Sequence, residues 1–198
     1  MRPVRARARR RASPRLFRAA VPFALALVVT ATAACGGDKS GTPSPFAGCG
    51  SLAKAADGPA ARLPDVTIPC FTGGEQVALR SLRGPAVINL WASWCDPCRR
   101  ELPVMQELAS KAGDKITVIG VDVGDGREAG ASFAADQGVT MATLFDPDKK
   151  LLNALAGVNL PITVFVDAAG QAYVHRLPLD APKLTAMVEQ HAGVTVTL

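Results

Sequence analysis

Acidic side chains are missing from the first 34 residues, histidine occurs only twice (His175 and His191), and the 198 residues contain no internal repeat. Residues 1–34 hold eight arginines, so of 22 basic residues 22 − 8 = 14 lie beyond them, against 17 acidic ones. Residues 35–198 therefore carry 14 − 17 = −3, although the full chain has a formal charge of +5. The basic excess belongs to the leader, which excludes nucleic-acid binding as a property of the folded part. Also missing is an apolar run of the roughly 20 residues needed to span a bilayer. The run at residues 19–34 is shorter, and Pro22 interrupts it. With hydrophobic residues at 48%, the chain still has enough apolar surface for one domain with a full core.

What the leader does have is the form of an export signal, an Arg-rich start followed by an apolar run. Thr32-Ala33-Ala34-Cys35-Gly36 follows directly, and small residues before a cysteine resemble the lipobox of bacterial lipoproteins. That resemblance implies lipidation of Cys35 and a signal peptide of residues 1–34; ordinary cleavage of a secreted protein is the alternative. Either route places the mature chain outside the cytoplasm, anchored to the outer face of the cell membrane or secreted, where disulfides persist. Five cysteines are present, and assigning Cys35 to lipid leaves an even set: Cys49, Cys70, Cys95 and Cys98.

Residues 35–61 are rich in Gly, Ser, Pro and Ala and read as a flexible tether. Beyond them, over residues 62–198, the pattern alternates. Strands are expected at 65–68, 76–79, 85–91, 116–122, 141–145, 162–167 and 171–175, and helices at 95–112, 127–137, 149–156 and 181–191. Continuous apolar runs such as Ala86-Val87-Ile88-Asn89-Leu90-Trp91 suit strands buried on both faces. Asp180 is placed to cap the last helix, with Pro182 in its first turn. The sum is one α/β domain, a mixed sheet with helices on both faces.

The chemistry concentrates in Trp94-Cys95-Asp96-Pro97-Cys98. Cys95 falls where a buried strand gives way to a helix, and free N–H groups with the positive dipole end favour a thiolate there. The thiolate is the nucleophilic form of cysteine. Cys98 sits one turn further, in reach to resolve a mixed disulfide formed at Cys95. Trp94 shields one side, and Pro97 presets the first turn. Asp96 opposes the thiolate and tilts the pair toward the dithiol, hence toward reduction.

This motif resembles the thioredoxin superfamily, whose signature is W-C-x-P-C or a close variant. Three further features narrow the resemblance to the TlpA/ResA-like thiol-disulfide oxidoreductases: Glu101-Leu102-Pro103 after the cysteines, the helix and strand inserted at 127–145, and the segment Gly157-Val158-Asn159-Leu160-Pro161 before a strand. The resemblance covers residues 62–192. It implies a thioredoxin fold with an N-terminal β extension and a central helix-strand insertion. It also implies a cis-proline at Pro161 shaping the substrate groove and a buried Glu101 that moves protons for Cys98. A surface Glu101 paired with Arg99 or Arg100 is the alternative. Thioredoxins proper carry a buried Asp where this chain has Asn89, so Glu101 is expected to take over that duty.

Cys49 and Cys70 are expected to form a structural disulfide; a second redox pair, or a zinc site shared with Cys95 and Cys98, is the alternative. No metal and no cofactor are required, because the dithiol itself carries two electrons. The reading is a membrane-tethered thiol-disulfide oxidoreductase acting on protein thiols and disulfides, apocytochrome c among them, with a membrane thiol carrier as electron donor. Oxidation of secreted proteins is the alternative direction. A copper-delivery protein using Cys95, Cys98 and His175 is the rival from another class, and a peroxidase on the same fold is a nearer one.

Overall fold

Two apolar runs form the centre of the sheet. β3 (Ala86–Trp91) is buried at all six positions, and β4 (Thr117–Val123) is buried everywhere but its first residue. Strands without a polar face need cover on both sides, which only a layered α/β arrangement supplies. The computed structural model describes residues 44–53 and 58–198. Cys35 and the leader lie outside the described residues.

β5 (Thr143–Asp146), β6 (Ile162–Val166) and β7 (Ala172–His175) complete a five-stranded sheet in the order β5-β4-β3-β6-β7. β3 runs parallel to β4, and β4 parallel to β5, whereas β6 and β7 are antiparallel. The sheet is therefore mixed, in a thioredoxin-like fold. α2 (Asp96–Ala112) lies on one face, with Cys98, Glu101, Leu102, Met105 and Leu108 buried at helical spacing. α3 (Arg127–Asp136) and α5 (Ala181–Ala192) pack into the same apolar cluster, around Trp91 and Phe165. The opposite face, with Ile88, Leu90, Val121 and Val164, is covered by α4 (Lys150–Ala154) and by the hairpin of β1 (Thr67–Pro69) and β2 (Gln76–Ala78). Asp180 caps α5 by accepting the Lys183 N–H at 3.0 Å, as its sequence position leads one to expect.

Element ends fall within about two residues of the expected ones, the ordinary scatter of helix and strand boundaries. The expected helix at 149–156 is shorter than that, because Lys149 and Ala156 both adopt left-handed backbone (φ 59° and 51°) and end it on each side.

The expected tether is corrected over its described part. A short helix, α1 (Gly50–Ala53), precedes the β1–β2 hairpin, and Phe46, Cys49 and Leu52 are buried in the domain. Phe46 packs edge-on against Phe71, with ring centroids 4.7 Å apart. Ala60 bridges to Arg83. The Gly, Pro and Ser composition of residues 44–61 conceals a few apolar anchors whose burial outweighs the flexibility of their neighbours. Residues 35–43 and 54–57 lie outside the described residues.

Candidate active site

β3 ends at Trp91, and the loop Ala92–Trp94 delivers Cys95 to the N-cap of α2. Cys95 is 5% exposed and Cys98 is fully buried. The two are joined in a disulfide with Cα atoms 5.2 Å apart. Cys95 Sγ accepts the backbone N–H of Cys98 at 3.3 Å. That amide is one of the free donors of the helix start, so on reduction it points at the sulfur that must carry negative charge. Pro97 occupies the first turn, where a missing N–H costs nothing. Asp96 is exposed beside it.

Glu101 is 1% exposed, one turn below Cys98 on the buried face of α2, and so is not a surface partner of Arg99 or Arg100. Its Oε1 accepts from Asn89 Nδ2 at 3.3 Å and from Thr163 Oγ1 at 3.2 Å, while Oε2 has no hydrogen-bond partner. Burial pushes its pKa up to about 7. The Thr163 hydroxyl and the Leu179 backbone amide pull the other way. A carboxyl balanced near neutrality can both accept and return a proton.

Outside the pair runs a groove of about 490 Å³ lined by Trp94, Cys95, Lys149, Leu152, Val158 and Leu160. Trp94 is 58% exposed and Val158 88% exposed. Trp94 thus forms an open wall of the groove instead of a shield; its ring N–H is anchored on the Gly124 carbonyl at 3.1 Å. The Leu160–Pro161 peptide bond is cis, and Leu160 lies in the same groove as Cys95.

The comparisons agree with this geometry. Residues 59–173, more than half the chain, match the AhpC/TSA family. The chain belongs to this family. Thiol-disulfide oxidoreductase ResA of Bacillus subtilis (strain 168) is 30% identical over 128 residues, covering 64% of this chain and 68% of that protein. Thiol:disulfide interchange protein DsbE of Pseudomonas fluorescens biotype C is 32% identical over 109 residues, covering 54% and 60%. The chain thus spans about two thirds of the length of these curated relatives. Among solved structures, MTB DsbF in its mixed oxidized and reduced forms has a TM-score of 0.60 at 27% identity, covering 66% of this chain and 99% of that one. Within the AhpC/TSA family, the chain is a thiol-disulfide oxidoreductase.

This family member carries a second disulfide. Cys49 and Cys70, both fully buried with Cα atoms 5.8 Å apart, bond the N-terminal segment to the end of the β1–β2 hairpin. Cys70 also bridges to Leu144 of β5, so the bond ties three segments together. His175 is half-buried on the edge strand β7, two strands from β3, and burial lowers its pKa, with His191 adding to the effect. His191 stacks on Tyr173, ring centroids 3.7 Å apart. Among the described residues no group of three His, Cys, Asp or Glu side chains is arranged to hold a metal.

Thr163 escaped the sequence reading. Its only signal is a hydroxyl in the otherwise apolar run Ile162–Val166, where it faces Asn89 across the β3–β6 ladder.

Proposed function

We propose that the protein works outside the cytoplasm, tethered to the cell membrane by lipid on Cys35, and passes electrons from a membrane thiol carrier to disulfides of exported proteins. Apocytochrome c is the substrate class that the resemblance to the TlpA/ResA-like oxidoreductases implies. In the forward step the Cys95 thiolate attacks a substrate disulfide. One substrate sulfur leaves as a thiolate and a Cys95–substrate disulfide forms. Cys98 then gives up its proton to the Glu101 carboxylate and attacks Cys95, which releases the second substrate sulfur. The protein leaves with the Cys95–Cys98 disulfide; two electrons have moved to the substrate, whose two thiolates take one proton back from Glu101 and one from solvent, and the carrier restores the dithiol.

The observation that carries this reading is the juxtaposition at the start of α2. The sulfur of Cys95 is capped by an amide and opens on an apolar groove, and Glu101 is buried one turn below Cys98. The buried Cys49–Cys70 bond supports an oxidising compartment, since structural disulfides are rare in reducing ones. The exposed Asp96 supports the reducing direction by disfavouring a neighbouring thiolate.

Two measurements test the reading. A Cys98→Ser variant expressed in the cell should accumulate mixed disulfides through Cys95 with exported proteins; recovery of none counts against it. The reduction potential of the Cys95–Cys98 couple decides the direction. A value near the roughly −270 mV of thioredoxin makes the protein a reductant, and one near about −120 mV makes it an oxidant of secreted proteins.

A further inference from the structure

A second acid is buried on the sheet face that holds Glu101. Asp122, at the end of β4, is fully shielded from solvent, and neither of its carboxylate oxygens has a hydrogen-bond partner. Its strand neighbours are Trp91 of β3 and Phe145 of β5, neither of them titratable. α3 approaches so closely that a Cβ at position 130 would collide with Asp122 Oδ2, and glycine stands there. An acid without partners in such a place pays a desolvation cost when charged.

The charged groups that face it are Asp125 and Arg127. Arg127 is committed elsewhere: its guanidinium lies over the Phe71 and Phe145 rings, 4.5 and 4.3 Å from their centroids, and donates to the Phe71 carbonyl at 2.7 Å. Asp125 accepts two backbone donors, the Ser93 N–H on Oδ2 at 2.6 Å and the Gly126 N–H on Oδ1 at 2.8 Å. A fully buried carboxyl beside a second, partly exposed one is costly to ionise, so Asp122 keeps its proton at neutral pH. The Asp125 carboxyl is near enough to act on Asp122, although no hydrogen bond joins the two.

Ser93 stands two residues before Cys95. Its N–H is taken by Asp125, and its carbonyl accepts from Arg99 of α2 at 3.0 Å. The next residue, Trp94, is tied by its ring N–H to Gly124. The loop that positions the nucleophile is therefore fastened to residues 124–125, directly beyond Asp122.

We propose that Asp122 is a positioning residue: protonated, it lets Asp125 stay clasped on the Ser93 N–H and holds the Cys95 loop in place; ionised, it repels Asp125 and opens the clasp. Burial, with the charge and near contact of Asp125 next, raises the pKa of Asp122 to about 8, against the opposing pull of Arg127. The switch therefore falls at the alkaline edge of the neutral range. The proposal deepens the exchange reading and rests on it only for its kinetic consequence.

The test uses oxidised protein without substrate, so it stands whether or not mixed disulfides are ever trapped. Tryptophan emission, to which exposed Trp94 contributes, is followed through the alkaline range. The wild type should show a transition near pH 8, lost in Asp122→Asn and lost also in Asp125→Asn, where no like charge is left to repel. In the reduced proteins, alkylation of Cys95 by iodoacetamide should lag in the wild type relative to Asp122→Asn only above that transition. A transition that survives unchanged in Asp122→Asn overturns the proposal. Should that variant fail to fold, aspartate-selective carbon-13 labelling of the wild type decides. One carboxyl titrating near pH 8 supports the proposal, and all aspartates titrating in the ordinary carboxylate range overturn it.

Discussion

The side-chain amide of Asn89 donates to the Glu101 carboxylate across 3.3 Å, bringing the middle of β3 and the second turn of α2 together beneath the cysteine pair. Asparagine has no proton to exchange, so the acid–base work at this spot falls to Glu101, whose pKa burial raises to about 7. Glu101→Gln should remove the inflection near pH 7 from the pH profile of disulfide exchange. It should also slow resolution by Cys98 by about 100-fold, the lower range for loss of a general base. An unchanged profile in stopped-flow exchange assays would remove Glu101 from the mechanism.

The same group makes a stability prediction with a definite sign. Its folded pKa lies above its unfolded value, so its contribution is full below about pH 4.5 and is lost as pH rises through about 7. The loss amounts to roughly 3 kcal/mol at most. Asp122, raised to about 8, acts in the same direction. Urea unfolding should therefore show the wild type less stable at pH 8 than at pH 5, with a flatter dependence in Glu101→Gln.

Thr163 donates to Glu101 Oε1 at 3.2 Å and thereby favours the carboxylate. Thr163→Val keeps the shape and removes the donor. The Glu101 midpoint should move further up, read from glutamate-selective carbon-13 shifts or from the exchange profile. A downward move would mean that the hydroxyl serves some other partner.

The Cys49–Cys70 bond closes a loop with a sequence separation of 21. Replacing both cysteines by serine should cost about 3 kcal/mol of unfolding free energy on chain-entropy grounds. The exchange rate of Cys95 should stay as it was, because neither cysteine of this bond lines the groove. A matching loss of exchange would mark the bond as a second redox pair.

Trp94 and Val158 present apolar surface beside Cys95 that no part of the domain covers. Trp94→Ala should lower kcat/KM about tenfold for a peptide disulfide flanked by apolar residues, the worth of one good apolar contact. Reduction of a small reagent such as dithiobis(nitrobenzoate), too short to reach the wall, should change little. Equal losses for both substrates would point to the loop, not to the groove.

Most of the fold follows from the linear pattern. Runs such as Ala86–Trp91 and Thr117–Val123 are apolar throughout because both faces are covered, and the spacing of Leu102, Met105 and Leu108 names the buried side of α2. The position of Cys95 at a strand–helix junction is equally local, as is the cap by Asp180. Periodicity and end effects act over a few residues and leave their mark in the sequence.

Residue pairs brought together across the sheet left no such mark. Nothing in the chain order links Thr163 to Glu101, Asp122 to Gly130, or Phe46 to Phe71, and Asn89 was tied to Glu101 only by the family resemblance. Sequence composition made residues 44–53 look like a tether, yet three buried side chains and one disulfide fasten them down. The sequence by itself determined an α/β domain with a nucleophilic cysteine pair at the head of a helix. Only tertiary structure decided which acids lose their water and therefore hold protons near neutral pH, because desolvation depends on what the fold packs around a group and not on its neighbours in the chain.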